Sequence, residues 1–549
     1  MALLMAACSS GATTKAVSGN GNGNVSGNGN GTSARTSTSS GASTTDAAGG
    51  RTWKPQGKVE QASFDTEKQI AADYPPGAKK LHFEFGPIDI APGQNQISYS
   101  GRNVPKPPED GYILRIEPNI KRVDGTVPPV DVIHLHHGVW VNLSAKDPTS
   151  PHLPERFFAS GEEKTTIELP KGFGYAFKAT DNWLINYMIH NLLPAKDKIV
   201  ITYDMVFLPA TDPAAASIRP ARPIWMDVVN GSIYPVFDVL KGSGTNGTYT
   251  YPDQAVDPYK GRKPLNQWTV DRPSVIVGAG GHLHPGGLHD DLYVQRNGAS
   301  AAPGSPAAGS VQGDKARLFT SAAHYWEPAG AVSWDVAMTV TNPDYRVALQ
   351  PGDVLSMSTT YDSKRASWYE SMGIMNLWLA DGTDGANPFE TPVDGPGHLT
   401  HGHLPENNNH GGDEAIYTDP AKRKSAPAAG AIDISKYVYT LGDMTNDTPI
   451  LSVVQGQSLT FDNKDDAEAP GAWHSITACK APCNKKTGVA YPLADGDVNF
   501  DSGQLGNRGV PTAGRETWQT PADLTPGTYT YFCRIHPFMR GAFTVTAKS

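Results

Sequence analysis

Glycine and proline interrupt this 549-residue sequence too often for long helices: there are 57 of one and 45 of the other. A proline inside a helix removes a hydrogen bond and clashes with the preceding turn, and an interior glycine costs backbone entropy. Between these breaks lie short runs in which apolar and polar residues alternate, such as "LHFEFGPIDI", "VIHLHHGVWVNL" and "VSWDVAMTVTN". Period-two patterning of this length, bounded by turn residues, describes half-buried strands. The expected fold class is all-β: two β-sandwiches in tandem, followed by a third, smaller one.

Breaks in the pattern set the expected organisation. Residues 1–8, "MALLMAAC", put a short apolar run and small residues ahead of Cys8, like the tail of a bacterial lipoprotein signal. Residues 9–50 are a Gly/Asn/Ser/Thr-rich run that cannot bury a core and reads as a disordered tether. The first sandwich is expected over 51–212 and the second over 213–397. A linker rich in His, Pro and Ala occupies 398–430, and the third sandwich 431–549. The chain is therefore expected to be exported, either as a cell-surface lipoprotein anchored through Cys8 or as a periplasmic or extracellular protein. Formal charge is −9 with 18% charged residues, which leaves no basic footprint for nucleic acid.

Near the C-terminus stands "TYTYFCRIHPFMRG", with Cys533, His536 and Met539 three residues apart. Alternation puts Tyr529, Tyr531 and Cys533 on one strand face, and the chain must then turn to bring His536 and Met539 round the same point. Pro537 fixes its own φ and biases His536 towards an extended backbone. "APGAWHSITAC" offers His474 as a fourth donor. Two imidazoles and a thiolate in a plane, with a weak axial thioether, is the donor set of a blue-copper site. For Cys479 and Cys483 a loop disulfide is expected, and their spacing also permits metal ligation.

The other histidines cluster in "VIHLHHGVW", "LINYMIHNLLP" and "GAGGHLHPGG". His282 and His284 project from the same strand face and can grip one metal together. Adjacent His136 and His137 face opposite ways in a regular strand, so one ion held by both needs a bulge or a strand end. His134 and His136 are the alternative same-face pair. In the linker, His398, His401, His403 and His410 form a further group, read either as a metal-recruiting tract or as solvated linker.

Two resemblances follow. Through "WHSI", "FDSGQLG" and "PGTYTYFCRIHPFMRG" the last 120 or so residues resemble cupredoxins of the amicyanin, pseudoazurin and plastocyanin type, which implies one type 1 copper on His474, Cys533, His536 and Met539. Residues 80–385 resemble, through "HLHHG", "NYMIH" and "GGHLHPGG", the copper type II monooxygenases, including peptidylglycine hydroxylating monooxygenase, and the related stress up-regulated nodulin-like group. The two resemblances imply a Greek-key sandwich at the C-terminus and, before it, two tandem antiparallel sandwiches of the jelly-roll kind with two further mononuclear coppers. His136, His137 and His190 would hold the first; His282, His284 and Met372 the second, catalytic one, with Met375 as the alternative sulfur. Where peptide-processing members carry an arginine, two residues before the His-x-His pair, this chain has Gly280.

Together these imply an exported oxidoreductase in which the type 1 domain relays electrons to a monooxygenase-like module. Its partners would be a redox partner or reductant, O2 and a small organic substrate. The alternative is a non-enzymatic surface protein that binds copper or carries electrons.

Overall fold

The computed structural model describes residues 74–549, apart from residue 102 and segments 229–234, 253–265, 300–314, 327–329, 405–416, 466–471, 480–492, 494–497 and 507–514. It also gives the backbone of two short strands, Thr44–Thr45 and Thr52–Trp53. The expected signal remnant with Cys8, most of the tether, His410 and the Cys479–Cys483 bridge lie outside the described side chains. The expected class holds: the described chain is all-β, with 3-10 turns and no α-helix. None of its helical segments is long and apolar enough to cross a membrane.

In the first sandwich one sheet runs in the order Asn95–Tyr99, Trp183–Asn191, Ile133–Lys146, Pro154–Gly161. The facing sheet contains Phe173–Phe177, Gly111–Arg122, Asp197–Pro209 and Lys79–Ile90. Trp140, Phe158, Trp183, Ile185 and Tyr203 fill the space between them, all essentially without solvent contact. Alternation along each strand supplies these residues. Burying one such side chain fully stabilises by roughly 1.5–3 kcal/mol.

The second sandwich is not a free-standing neighbour. Its Arg219–Asp227 strand pairs in parallel with Phe173–Phe177 of the first, so one sheet runs through both. Val275, Val277 and Trp378 of the second join the first sandwich's core. A separate apolar seam sets Val139, Val141 and Ala159 against Trp225, Val236, Met372 and Ile374. The third sandwich stacks a five-stranded and a four-stranded sheet around Phe461, Ile476, Tyr531 and Phe543. His398–Leu399, the start of the expected linker, adds to the Val336–Val340 strand of the second sandwich.

Candidate metal centres

The Gly527–Phe532 strand delivers Cys533 into the core of the third sandwich. There the chain folds back on itself: the Met539 amide donates to the His536 carbonyl (2.8 Å) and the Cys533 amide to the Met539 carbonyl (3.1 Å). This closed loop carries His536 and Met539 round to the thiol. Cys533 Sγ stands 3.7 Å from Nδ1 of His474 and 3.7 Å from Nδ1 of His536, and the two Nδ1 atoms are 3.1 Å apart. The point equidistant from the three atoms is about 2 Å from each, a metal–ligand bond length. Met539 is fully buried in the same cluster as Cys533.

The far nitrogen of each imidazole is tied down. His474 Nε2 donates to Asp465 Oδ2 at 3.0 Å, and Asp465 is itself held by the Tyr437 amide at 2.9 Å. His536 Nε2 donates to the Gly93 carbonyl, 2.8 Å away in the first sandwich. Both acceptors fix the tautomer so that Nδ1 offers its lone pair inward. The Ser475 amide donates to Cys533 Sγ at 3.3 Å. Burial disfavours a charged His474, but hydrogen bonds to Asp465 and Cys533 outweigh it and hold the imidazole's pKa up at about 9. A metal entering here displaces that proton, so binding weakens as pH falls.

Gly93 makes the contact with the first sandwich possible. Its φ is +59°, and a Cβ there would stand 2.7 Å from the Tyr437 ring and 2.8 Å from His536 Cδ2. Gly93→Ala is therefore expected to cost more than about 1 kcal/mol, measured as a lower denaturation midpoint. An unchanged midpoint would mean that the third sandwich does not seat on Gly93 in solution.

The central histidines sit where the two sandwiches meet. His134, His136 and His137 lie on Ile133–Lys146, paired with the strand that carries His190. In that pairing Met188 faces His137 and Ile189 faces Leu135, leaving His136 opposite no residue. This is the bulge that lets neighbouring histidines approach one point. His282 is the next-to-last residue of the Ser274–Leu283 strand, and His284 follows the strand directly. The Tyr361 hydroxyl anchors the strand end, accepting from the His284 amide (3.0 Å) and donating to the Met372 carbonyl (2.7 Å).

All six imidazoles are buried and contiguous. Ring centroids are 4.1 Å apart for His136 and His284, 5.0 Å for His282 and His284, 5.1 Å for His134 and His190, and 5.8 Å for His136 and His190. Nitrogens of His136, His137 and His284 lie within 4.8 Å of one another. The His136, His137, His284 group cuts across the expected sets of His136, His137, His190 and of His282, His284, Met372, while His282 stays beside His284 and lines one void with Met372. His284 crosses to the first sandwich's pair, His190 packs beside His134, and Met372 lines a small void with His137 and His282. Met375 faces away, packed with Leu283 and Leu377 in the second sandwich's core. Met375→Leu conserves volume there and should cost less than about 1.5 kcal/mol in an unfolding titration. A loss above about 3 kcal/mol would point to a role for its sulfur.

One nitrogen of several rings is pinned: His282 Nδ1 to Glu163 Oε2 (2.9 Å), His190 Nε2 to the Ile535 carbonyl (2.8 Å), His134 Nδ1 to the Val130 carbonyl (2.6 Å). Yet His134 Nε2, His136 Nδ1, His190 Nδ1, His282 Nε2 and His284 Nε2 are buried with no hydrogen-bond partner. Each such orphan costs about 1–3 kcal/mol unless something else satisfies it, and a metal ion does. Burial, and then the neighbouring rings, pushes His136 and His284 well below the ordinary imidazole range; burial pushes His137 down to about 3 and His190 to about 4. Neutral imidazole is the form that ligates. Glu163 and Asp465, the carboxylates behind these rings, carry no sequence signal: they lie 119 and 9 residues from their histidines.

A cavity of about 100 Å³ opens beside the cluster. Its walls include His136, His190 and His284, Glu370, and Arg534 and Ile535 from the cysteine loop. Glu370 is held at φ +54°, a left-handed conformation that a non-glycine residue rarely adopts.

Among the described residues, fold and side chains together define an all-β protein with two buried donor clusters, one of nitrogen and sulfur, the other of imidazole. No family model matches the chain, and no curated protein matches it. Among solved structures it is similar to the purple cupredoxin of Nitrosopumilus maritimus: 20% identity over 22% of this chain and 100% of that one, TM-score 0.15. The Cu(I) form of an amicyanin mutant matches at 22% identity over 24% of this chain and 91% of that one, TM-score 0.15. The Cu-containing nitrite reductase of Thermus scotoductus matches at 13% identity over 50% and 55%, TM-score 0.17. Likenesses this slight carry no functional weight.

Proposed function

We propose that the chain is a copper-based redox protein whose third sandwich is a type 1, cupredoxin-like electron-transfer domain. The observation that carries this reading is the convergence of His474 Nδ1, Cys533 Sγ and His536 Nδ1, with Met539 buried alongside. Copper bound there supplies one-electron redox chemistry. The residues hold two ring orientations through Asp465 and Gly93, orient the Cys533 sulfur through the Ser475 amide, and exclude water by burial. A rigid, dry site of soft donors needs little rearrangement between oxidation states.

We extend this reading to an exported oxidoreductase that acts with O2 on a small organic substrate at the central histidines. The cavity supports it, since it touches both the imidazole cluster and the cysteine loop. The decisive experiment is to load the purified protein with Cu(II), record its visible spectrum, and follow reductant-driven O2 uptake. An intense blue or purple band with substrate-dependent uptake is the expected result. The band without uptake leaves the non-enzymatic electron carrier, and a colourless copper-loaded protein overturns the type 1 assignment. Export through a lipid on Cys8 predicts a membrane-associated product that Cys8→Ala releases into the soluble fraction.

A further inference from the structure

We propose that His136, His137 and His284 form a single metal centre shared between the two large sandwiches, in place of two mononuclear sites held by one sandwich each. The proposal stands on the central histidines alone and does not depend on the Cys533 site. Three observations carry it. The ligating nitrogens of these residues lie within 4.8 Å of one another, although His284 belongs to the second sandwich and the other two to the first. His136 sits at a bulge, which takes it out of regular alternation with its neighbours on the strand. His136 Nδ1 and His284 Nε2 are buried without a partner, an arrangement that is costly unless an ion satisfies them.

The chemistry selects the ion. Three imidazoles and no carboxylate suit a borderline transition-metal ion such as Cu(II) or Zn(II), not Ca²⁺ or Mg²⁺, which take oxygen ligands. His136 and His284 also line the cavity, so a metal held by this triad faces open space on that side. Three protein ligands with one open position is the arrangement of a reactive metal site, in contrast to a closed structural one. The packing explains why the triad is possible: the parallel pairing of Arg219 with Phe173 and the Val139–Trp225–Ile374 seam hold the sandwiches at fixed distance.

Zn²⁺ is the probe, because it is redox-silent and its binding is independent of any turnover. The full chain, His137→Ala, His284→Ala and the double variant are titrated with Zn²⁺, and bound equivalents are counted by native mass spectrometry. Each single substitution is expected to weaken the same equivalent by about 100-fold or more, and the double variant to lose that one equivalent and no other. If one equivalent goes with His137 and a different one with His284, so that the double variant loses two, the shared centre is wrong. It is equally wrong if neither substitution changes the count. Far-ultraviolet circular dichroism of the metal-free variants checks folding. Should an alanine variant unfold, His137→Gln and His284→Gln keep more of the side-chain volume and carry the same test.

Discussion

Cys533→Ser should abolish the intense visible absorption of the copper-loaded protein while leaving the fold in place. The band requires a thiolate donor, and Cys533 is the one free cysteine among the described residues, buried against His474 and His536. Serine is close in size, so the core around Tyr531 and Phe543 keeps its packing. It offers a harder oxygen that does not produce the charge-transfer colour. The change in absorption should be at least tenfold, read from the spectrum at equal copper content. Met539→Gln, which replaces a weak axial sulfur by an amide oxygen, should retain the colour and lower the reduction potential. A Cys533→Ser protein that stays intensely coloured would place the chromophore elsewhere.

The second large effect is on stability. Arg156 lies in the seam between the first two sandwiches with both carboxylate partners fully buried: Nε is 2.7 Å from Asp147 Oδ2 and Nη1 is 3.4 Å from Asp227 Oδ2. Its guanidinium stacks 4.6 Å over the Trp225 ring, whose Nε1 also donates to Asp227 at 2.8 Å. Removing the cation leaves two buried negative charges without it, and breaking a buried pair from one side costs about 3–5 kcal/mol. Arg156→Ala should therefore lower the urea midpoint strongly. Arg156→Lys should recover part of the loss by restoring charge but not the planar fork. A loss under about 1 kcal/mol for the alanine variant would show that the seam relaxes and admits water.

How much of this was legible in the sequence depended on distance along the chain. Strand character could be read from period-two alternation, as in the Gly527–Phe532 strand, because the signal is local. The juxtaposition of Cys533, His536 and Met539 was legible for the same reason: seven residues and a proline fix a turn. The pair His282 and His284 carries its geometry in its own spacing. The arrangement of the central cluster does not. Whether His284 joins His136 or stays with His282 is decided by how one sandwich docks on another, through a parallel bridge between Arg219 and Phe173 that no local pattern announces. The bulge at His136 was foreseeable as a requirement, yet its position follows from a register shift against Met188 and Ile189. Met372 and Met375 differ by three positions, and strand pairing sends one to the inter-sandwich seam and the other to a core.

The carbonyl of Gly93 has a consequence for traffic in and out of the molecule. It covers the outer edge of His536, whose residue is only 2% exposed, while His190 of the first sandwich grasps the neighbouring Ile535 carbonyl. The ligand loop of the third sandwich is thus a plug seated in a socket, and the socket wall is made of the same chain. A soluble visitor approaching the third sandwich finds no imidazole edge to touch on that side. The plug has its nearest neighbour built in, two residues along the backbone from the cysteine, and cutting the chain near residue 430 would leave the socket empty with His190 Nε2 facing out.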